Sequence, residues 1–155
     1  MADTQIKIVS HTNPDLHEMI RRLDAFLLTR YKPEDIYVLD FFAPEISEVL
    51  FIVCYQGDEP IGCGAIRKLA DNSMELKRFF VDSRYRRHGI AGEMLRFLED
   101  RTVESGYISM KLETGIHQEE AIAFYRHNGY REIGRFGDYQ EDPLSLYCEK
   151  VLVPQ

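Results

Sequence analysis

The sequence predicts one domain of mixed α/β (α+β) class, in which helices flank a single central sheet. Three observations predict this class. An amphipathic segment lies near the N-terminus, three β-forming stretches then follow one another with only turn signals between them, and strands alternate with helical segments after that. The length of 155 residues fits a single domain, which we assign to residues 1–155.

The N-terminal part of the chain predicts a short strand and then a helix. Apolar and polar residues alternate at residues 6–9, as in a half-buried strand. Asn13 followed by a proline is typical of a helix start, and apolar residues recur at helical spacing up to about Arg30. Two prolines interrupt residues 31–47, where we expect a loop or short helix of the kind that often lines sites.

The middle of the chain predicts an antiparallel meander. Residues 49–56, 61–69 and 74–81 are strongly β-forming. The segments between them, residues 57–60 and 70–73, are rich in turn-forming residues. Strands joined by such short turns pair with their neighbours in the sequence.

The pattern changes in the second half. Residues 89–103 carry apolar side chains on one helical face, and a strand follows at residues 108–112. A second helix is predicted at residues 118–127, and residues 131–133 and 145–152 predict two closing strands. In the sequence, the predicted strand at residues 108–112 therefore has a helix before it and a helix after it, and all these elements belong with one mixed central sheet.

The composition argues against several classes of protein. The net charge of −7 is a poor match to nucleic acid and to anionic membranes. No segment reaches the ~18 consecutive apolar residues of a membrane helix, and the N-terminus lacks signal-peptide features. Three cysteines without a CxxC pair indicate a reducing compartment, and the five histidines show no metal-binding spacing. We expect a cytoplasmic protein without a metal and without nucleic-acid or membrane partners.

The densest basic cluster of this acidic chain lies between the third meander strand and the next helix. Residues 84–88 read Arg-Tyr-Arg-Arg-His and precede Gly89. The first N–H groups of a helix lack intrahelical partners, the helix dipole adds positive charge, and glycine lets a phosphate approach closely. The alternative is a solvated basic loop that caps the helix. The predicted phosphate cradle consists of Arg86, Arg87, His88, Gly89, Ile90, Ala91 and Gly92.

Two motifs resemble one known family. Arg86-x-x-Gly89-x-Ala91 resembles the Q/R-x-x-G-x-G/A signature of the GCN5-related N-acetyltransferase (GNAT) superfamily, with alanine at the commoner second glycine. Residues 121–130 resemble its second hallmark, a helix that carries a tyrosine and ends at Gly-Phe/Tyr. Together with weaker similarities, the resemblance spans about residues 61–152.

The resemblance implies a GNAT-like fold and acetyl-CoA as the acetyl donor. In this superfamily the strand before the cradle splays from the next parallel strand, and the pantetheine arm lies in the gap. The corresponding strands here are residues 74–81 and 108–113. Gln118 stands near the position where many members carry an asparagine that contacts the cofactor. The implied acetyl-CoA contacts outside the cradle are Phe79, Phe80, Val81, Gln118 and Ala121.

Two side chains are candidates for the catalytic acid and base. Acetyl transfer to an amine needs a neutral amine, a stabilised carbonyl oxygen and a protonated leaving thiolate. The carboxylate of Glu75 is the candidate base, and it would remove the proton of the amine directly or through water. Glu113 is a second candidate. The alternative interpretation of Glu75 is an ordinary strand residue that pairs with Lys77. Tyr125 is the candidate acid, because a phenol with a pKa of about 10 is protonated at neutral pH; the alternative is a core aromatic. The backbone N–H groups around Phe80 and Val81 are expected to bind the oxyanion.

We therefore predict an N-acetyltransferase that transfers acetyl directly from acetyl-CoA to a primary amine of a small molecule. No cysteine stands in a nucleophile setting, which argues against an acyl-enzyme. We expect residues 31–47 and 134–143 to select the acceptor, because they carry aromatic and acidic residues. Two alternatives stay open: a CoA-binding sensor or interaction module without turnover, and a protein N-acetyltransferase. The terminal strands also leave a homodimer possible.

Overall fold

The structure, a computed structural model, describes residues 3–86 and 88–154. Its described part forms one seven-stranded sheet in the order β1-β2-β3-β4-β5-β7-β6, with helices on both faces. The helices are α1 (Pro14–Leu27), α2 (Ile90–Glu104) and α3 (Glu119–His127). The strands are β1 (Thr4–Val9), β2 (Leu50–Gln56), β3 (Glu59–Lys68), β4 (Ser73–Val81), β5 (Ser109–Gly115), β6 (Arg131–Ile133) and β7 (Ser145–Val151).

The predicted meander is confirmed. Strands β1 to β4 pair antiparallel with their sequence neighbours. The two closing strands are also present, and β7 lies between β5 and β6 and pairs antiparallel with both. The main difference from the predicted boundaries is β5, which runs to Gly115 and so reaches three residues further than expected.

The parallel pair formed by β4 and β5 is splayed, as the resemblance implied. Pairing runs from Ser73 opposite Ser109 to Leu76 opposite Leu112. Beyond Leu76 and Leu112, no pairing joins the described residues of these two strands. The sheet is therefore open between the second half of β4 and the end of β5.

A β-bulge in β4, which no sequence pattern predicted, accompanies this opening. The register with β3 shifts between Cys63 and Ala65, and Arg78 has a φ of 52°. A left-handed conformation costs a residue with a Cβ about 1–2 kcal/mol. Gly62 of β3 permits the close approach, because a Cβ there would lie 2.8 Å from the carbonyl oxygen of Phe80. Bulges re-aim side chains next to functional sites.

The helices cover the two faces of the sheet with separate cores. Helix α1 packs its apolar side, including Leu16 and Met19, against residues such as Phe51. Its N-cap is Asn13, whose side chain accepts hydrogen bonds from the backbone N–H groups of Asp15 at 2.9 Å and Leu16 at 3.1 Å. The opposite face is covered by α2 and α3, whose buried residues pack on β4, β5 and β7.

The irregular segments follow the prolines as predicted. Residues 31–47 contain one short 3-10 turn, Pro33–Asp35, and the start of another, Pro44–Glu48. A third 3-10 turn, Ser83–Tyr85, lies in the lead-in to α2 and was not predicted. Among the described residues, no helix has the length and apolar character needed to cross a membrane.

Candidate active site

A cavity of about 410 Å³ lies where β4 and β5 part. Its walls come from both strands, the start of α2, one side of α3, the end of α1 and the segment that follows α1. The gap in the sheet thus connects the face covered by α2 and α3 with the face covered by α1.

One end of the cavity is formed by the N-terminus of α2. Gly89 is the N-cap residue, with a φ of 77°, and no side chain in the described part of the chain caps this helix. The first N–H groups of α2 are thus left for a ligand. Asp82 holds the preceding turn, since it accepts hydrogen bonds from the N–H of Arg84 at 3.0 Å and from Arg22 at 2.9 Å.

Most of the predicted cofactor residues meet at this cavity. Arg86 lies at its edge, where its Nε donates to the Val81 carbonyl oxygen and its Nη1 to Glu120, both at 3.3 Å. His88 is exposed and does not line the cavity, and Arg87 lies outside the described residues. The predicted residues that do line it are Phe79, Phe80, Val81, Arg86, Gly89, Ile90, Ala91, Gly92, Gln118 and Ala121.

Tyr125 of α3 lines the cavity from the side of α2 and α3. Its ring lies 6.4 Å from that of Phe79 and 5.8 Å from that of Tyr130. Burial raises the pKa of the Tyr125 phenol, so it is protonated at neutral pH. Its hydroxyl makes no hydrogen bond to any described side chain or backbone group. The O–H group can therefore donate its proton to a ligand.

Glu75 does not line the cavity. Its carboxylate is completely buried, accepting a 2.8 Å hydrogen bond from Arg67 and a 2.5 Å hydrogen bond from the Tyr139 hydroxyl. Glu75 lies before the point where the strands part, and its register partner on β5 is Lys111. The expected pairing with Lys77 is present at 4.0 Å. The geometry therefore favours an anchoring role for Glu75 over the predicted role as base.

Glu113, the second candidate base, does line the cavity. It lies directly after the last paired residue of β5, and its Oε2 accepts a 2.8 Å hydrogen bond from Ser145. Burial raises the pKa of the Glu113 carboxyl to about 7, although Ser145 and the ammonium of Lys77 oppose that rise. A carboxyl group with this pKa can accept and release a proton near neutral pH.

Aromatic residues close the cavity on the α1 side. The rings of Tyr37 and Tyr139 meet edge to face at 5.0 Å, and Tyr37 donates a 2.6 Å hydrogen bond to Asp142. Tyr31 packs against Gly115, where any Cβ would lie 1.8 Å from the Tyr31 hydroxyl oxygen. Both segments predicted to select the acceptor thus reach the cavity.

The same chain matches the model of the Acetyltransferase (GNAT) family over residues 15–130. The chain belongs to the GNAT acetyltransferase family. It is similar to an IAA acetyltransferase of Azospirillum brasilense, with 35% identity over 87% of this chain and 89% of that protein. It is also similar to a solved structure from Klebsiella pneumoniae named as an acyl-CoA N-acyltransferase, with 32% identity, a TM-score of 0.83 and coverage of 99% and 100% of the two chains.

The fold of this GNAT acetyltransferase also resembles that of PaiA N-acetyltransferase from Thermoplasma acidophilum, solved in complex with coenzyme A. The TM-score is 0.75 and the identity 19%, over 96% of this chain and 99% of that one. Family membership confirms the predicted enzyme class and its donor, acetyl-CoA. The cradle fits such a donor, since a left-handed glycine and uncapped helical N–H groups face the cavity.

Several lining residues of this GNAT acetyltransferase were missed by the sequence analysis. Leu23, Phe26 and Leu27 line the cavity from the end of α1 but carry the ordinary signature of an amphipathic helix. Lys77 and Arg78 line it from β4. Only the opening between β4 and β5 distinguishes these residues from other strand residues, and no local sequence pattern predicts where that opening begins.

Proposed function

We propose that this GNAT acetyltransferase transfers the acetyl group of acetyl-CoA directly to the primary amine of a small molecule. The observation that carries the proposal is the cavity through the sheet. One side of it is the N-terminus of α2, and its lining also includes Glu113 and the contacting rings of Tyr37 and Tyr139. A donor bound at the N-terminus of α2 and an amine bound beside Glu113 would meet between β4 and β5.

Glu113 removes the proton that keeps the acceptor amine from attacking. Its carboxyl group faces the cavity, and its pKa of about 7 lies close to neutral pH. Base catalysis by a positioned side chain contributes about 10²–10⁴-fold. This step uses Glu113 where the sequence analysis favoured Glu75, whose oxygens are held by Arg67 and Tyr139.

Backbone N–H groups of β4 stabilise the carbonyl oxygen as negative charge develops on it. Beyond Leu76, the side of β4 that faces β5 has no strand partner in the described structure. The bulge at Arg78 re-aims the backbone just before Phe80, the residue that the resemblance implicated. Preorganised donors of this kind lower barriers by about 3–4 kcal/mol.

Tyr125 protonates the departing thiolate. Its phenol is buried in the core on the side of α2 and α3 and carries its proton at neutral pH. The base, Glu113, therefore lies on β5, and the acid, Tyr125, lies on α3. One proton leaves the amine for Glu113, and a different proton passes from Tyr125 to the thiolate. No acyl-enzyme is needed, because all three cysteines are buried and burial raises the pKa of each thiol.

A panel of acceptors under saturating acetyl-CoA tests the proposal. Thiol release is measured with small primary amines and with peptides that offer a free N-terminus or lysine. We expect turnover with at least one small amine and none with the peptides. Turnover confined to peptides would identify a protein N-acetyltransferase. Tight acetyl-CoA binding without turnover on any amine would identify a CoA-binding sensor.

A further inference from the structure

The cavity wall contains a buried lysine, Lys77, that the transfer chemistry does not use. We infer that the acceptor carries a carboxylate next to its amine, as amino acids do, and that Lys77 binds this carboxylate. The inference rests on the proposed function, since it names the class of acceptor for the same site. It adds a specificity-determining residue to the base and acid.

Lys77 and Glu113 occupy equivalent places on the two parting strands. Leu76 and Leu112 are the last register partners, and both belong to the core beneath α2 and α3. The next residue of each strand points to the opposite face, because strand side chains alternate. Lys77 and Glu113 therefore lie beside each other at the start of the gap, and both line the cavity.

The ammonium group of Lys77 retains hydrogen-bonding capacity for a ligand. Its side chain is 7% exposed, and it donates one hydrogen bond, to the Tyr139 hydroxyl at 3.1 Å. The Glu75 carboxylate lies 4.0 Å away and is held by Arg67 at 2.8 Å. An ammonium has three N–H donors. No other described residue accepts a hydrogen bond from Lys77.

The balance of charge around Lys77 and Glu113 favours a zwitterion. Arg67 is paired with Glu75 and Arg78 with Asp24, so these four charges are compensated. The buried charged groups that remain on the described cavity wall are Glu113 and Lys77, whose contact with the Glu75 carboxylate is the longer one at 4.0 Å. A simple ammonium that binds Glu113 places a second cation beside Lys77, which is costly in a poorly solvated site. A carboxylate on the same molecule compensates Lys77 and removes that cost.

Among the described residues, the other cations of the cavity wall do not provide an equivalent site. Arg86 already contacts Glu120, and both side chains are more exposed than that of Lys77. Arg30 is exposed and bonds to the carbonyl oxygen of His117. Charges in water contribute less to binding than charges withdrawn from it. Lys77 is therefore the cation best placed to select an acceptor by its carboxylate.

The test compares matched acceptors on the wild-type enzyme. Each of several amino acids is assayed beside its carboxamide and its decarboxylated amine, with acetyl-CoA saturating and free thiol as the readout. We expect kcat/KM to be about 10–100-fold higher for the amino acid than for either analogue, the range for a charge-assisted hydrogen bond. This comparison needs no variant and so does not depend on how a substitution folds.

Two variants locate the effect. Lys77→Met removes the charge and keeps the apolar stem, and we expect it to abolish the preference mainly by raising KM for the amino acid. Lys111→Met is the matched control, because Lys111 is paired with Asp71 in the turn between β3 and β4 and does not line the cavity. The control should keep the preference. Unchanged acetyl-CoA binding shows that each variant is folded.

Each outcome separates the inference from the proposed function. Acetylation of amines, carboxamides and amino acids at equal rates would overturn the inference and leave the proposed function standing. A preference that survives in Lys77→Met would also overturn the assignment of Lys77. If no amine of the panel were acetylated, the proposed function would fall, and the inference with it.

Discussion

The hydroxyl of Ser145 donates a 2.8 Å hydrogen bond to Glu113, which joins β7 to β5 at the edge of the cavity. The same pair of strands carries a second pair of this kind, in which Ser109 donates to Glu149 at 2.9 Å. Only the first pair lies where β4 and β5 have parted. The two glutamates therefore form a natural comparison between a carboxylate in the site and one outside it.

Replacement of Glu113 by Gln is expected to remove the pH dependence of turnover. The pKa of Glu113 is raised to about 7, so its carboxyl is protonated below that pH and cannot accept a proton. Wild-type kcat/KM should rise with pH through about 7, and Glu113→Gln should lower it by about 10²–10⁴-fold at pH 8. Initial rates from pH 5.5 to 9 measure both, with an acceptor whose own pKa lies outside the range.

The matched control is Glu149→Gln, which should keep both the rate and the midpoint near pH 7. If Glu113→Gln retained wild-type activity and the same midpoint, Glu113 would not be the base. A loss of the same size in both variants would indicate structural damage to β5 and β7 instead.

Replacement of Glu75 by Gln distinguishes the two candidate bases. Because Glu75 is fully buried and bonds to Arg67 and Tyr139, we expect a loss of about 2 kcal/mol in the free energy of unfolding. The rise of activity with pH should persist but move to lower pH, because the Glu75 carboxylate raises the pKa of Glu113. Chemical denaturation and pH-rate profiles measure the two effects. If activity no longer rose with pH in Glu75→Gln, Glu75 would be the base.

Replacement of Tyr125 by Phe should slow turnover while leaving acetyl-CoA binding intact. The Tyr125 hydroxyl is expected to contribute about 10²–10⁴-fold through protonation of the thiolate. Tyr130→Phe is the control, because the Tyr130 hydroxyl is also buried but is bound to Glu99 at 2.8 Å. Titration calorimetry gives acetyl-CoA affinity, and thiol release gives the rate. Equal rates for Tyr125→Phe and wild type across the pH range would reject Tyr125 as the acid.

Replacement of Gly89 by Ala should weaken the binding of acetyl-CoA. Gly89 has a φ of 77°, so a residue with a Cβ at this position is strained by about 1–2 kcal/mol. The added Cβ also stands where a phosphate would approach the start of α2. Gly57→Ala introduces similar strain at a φ of 59° in the turn between β2 and β3, with nothing within 4 Å of its Cβ. We expect KM for acetyl-CoA to rise at least about tenfold only in Gly89→Ala. The same KM in both variants would show that the N-terminus of α2 does not bind the donor.

The order of elements could be predicted from the sequence because each depends on local patterns. Periodicity marks the strands and helices, turn residues separate β2 from β3, and Asn13 begins α1. The start of α2 at Gly89 was also predictable, since Gly89 and the helix that follows it are contiguous in the chain.

The opening of Glu113 to the cavity, on which its proposed role as base rests, could not be predicted in the same way. Alternation along β4 correctly places Glu75 and Lys77 on one face, but it does not show where β4 leaves β5. That point, Leu76 opposite Leu112, decides that Glu75 is enclosed and Glu113 is open to the cavity. It arises from tertiary features, including the bulge at Arg78 that Gly62 permits.

We propose that the acetyl group passes from acetyl-CoA to the amine without an acyl-enzyme. Measuring the ratio of N-acetylated amine to free thiol is the most direct test of this proposal. The wild-type enzyme is incubated with acetyl-CoA and the best amine of the panel, and free thiol and N-acetylated amine are quantified by mass spectrometry over time. We predict one N-acetylated amine for each thiol released, with no acetyl group on the protein in samples that lack the amine. Thiol release without the N-acetylated product, or an acetylated protein that precedes it, would contradict direct transfer to the amine.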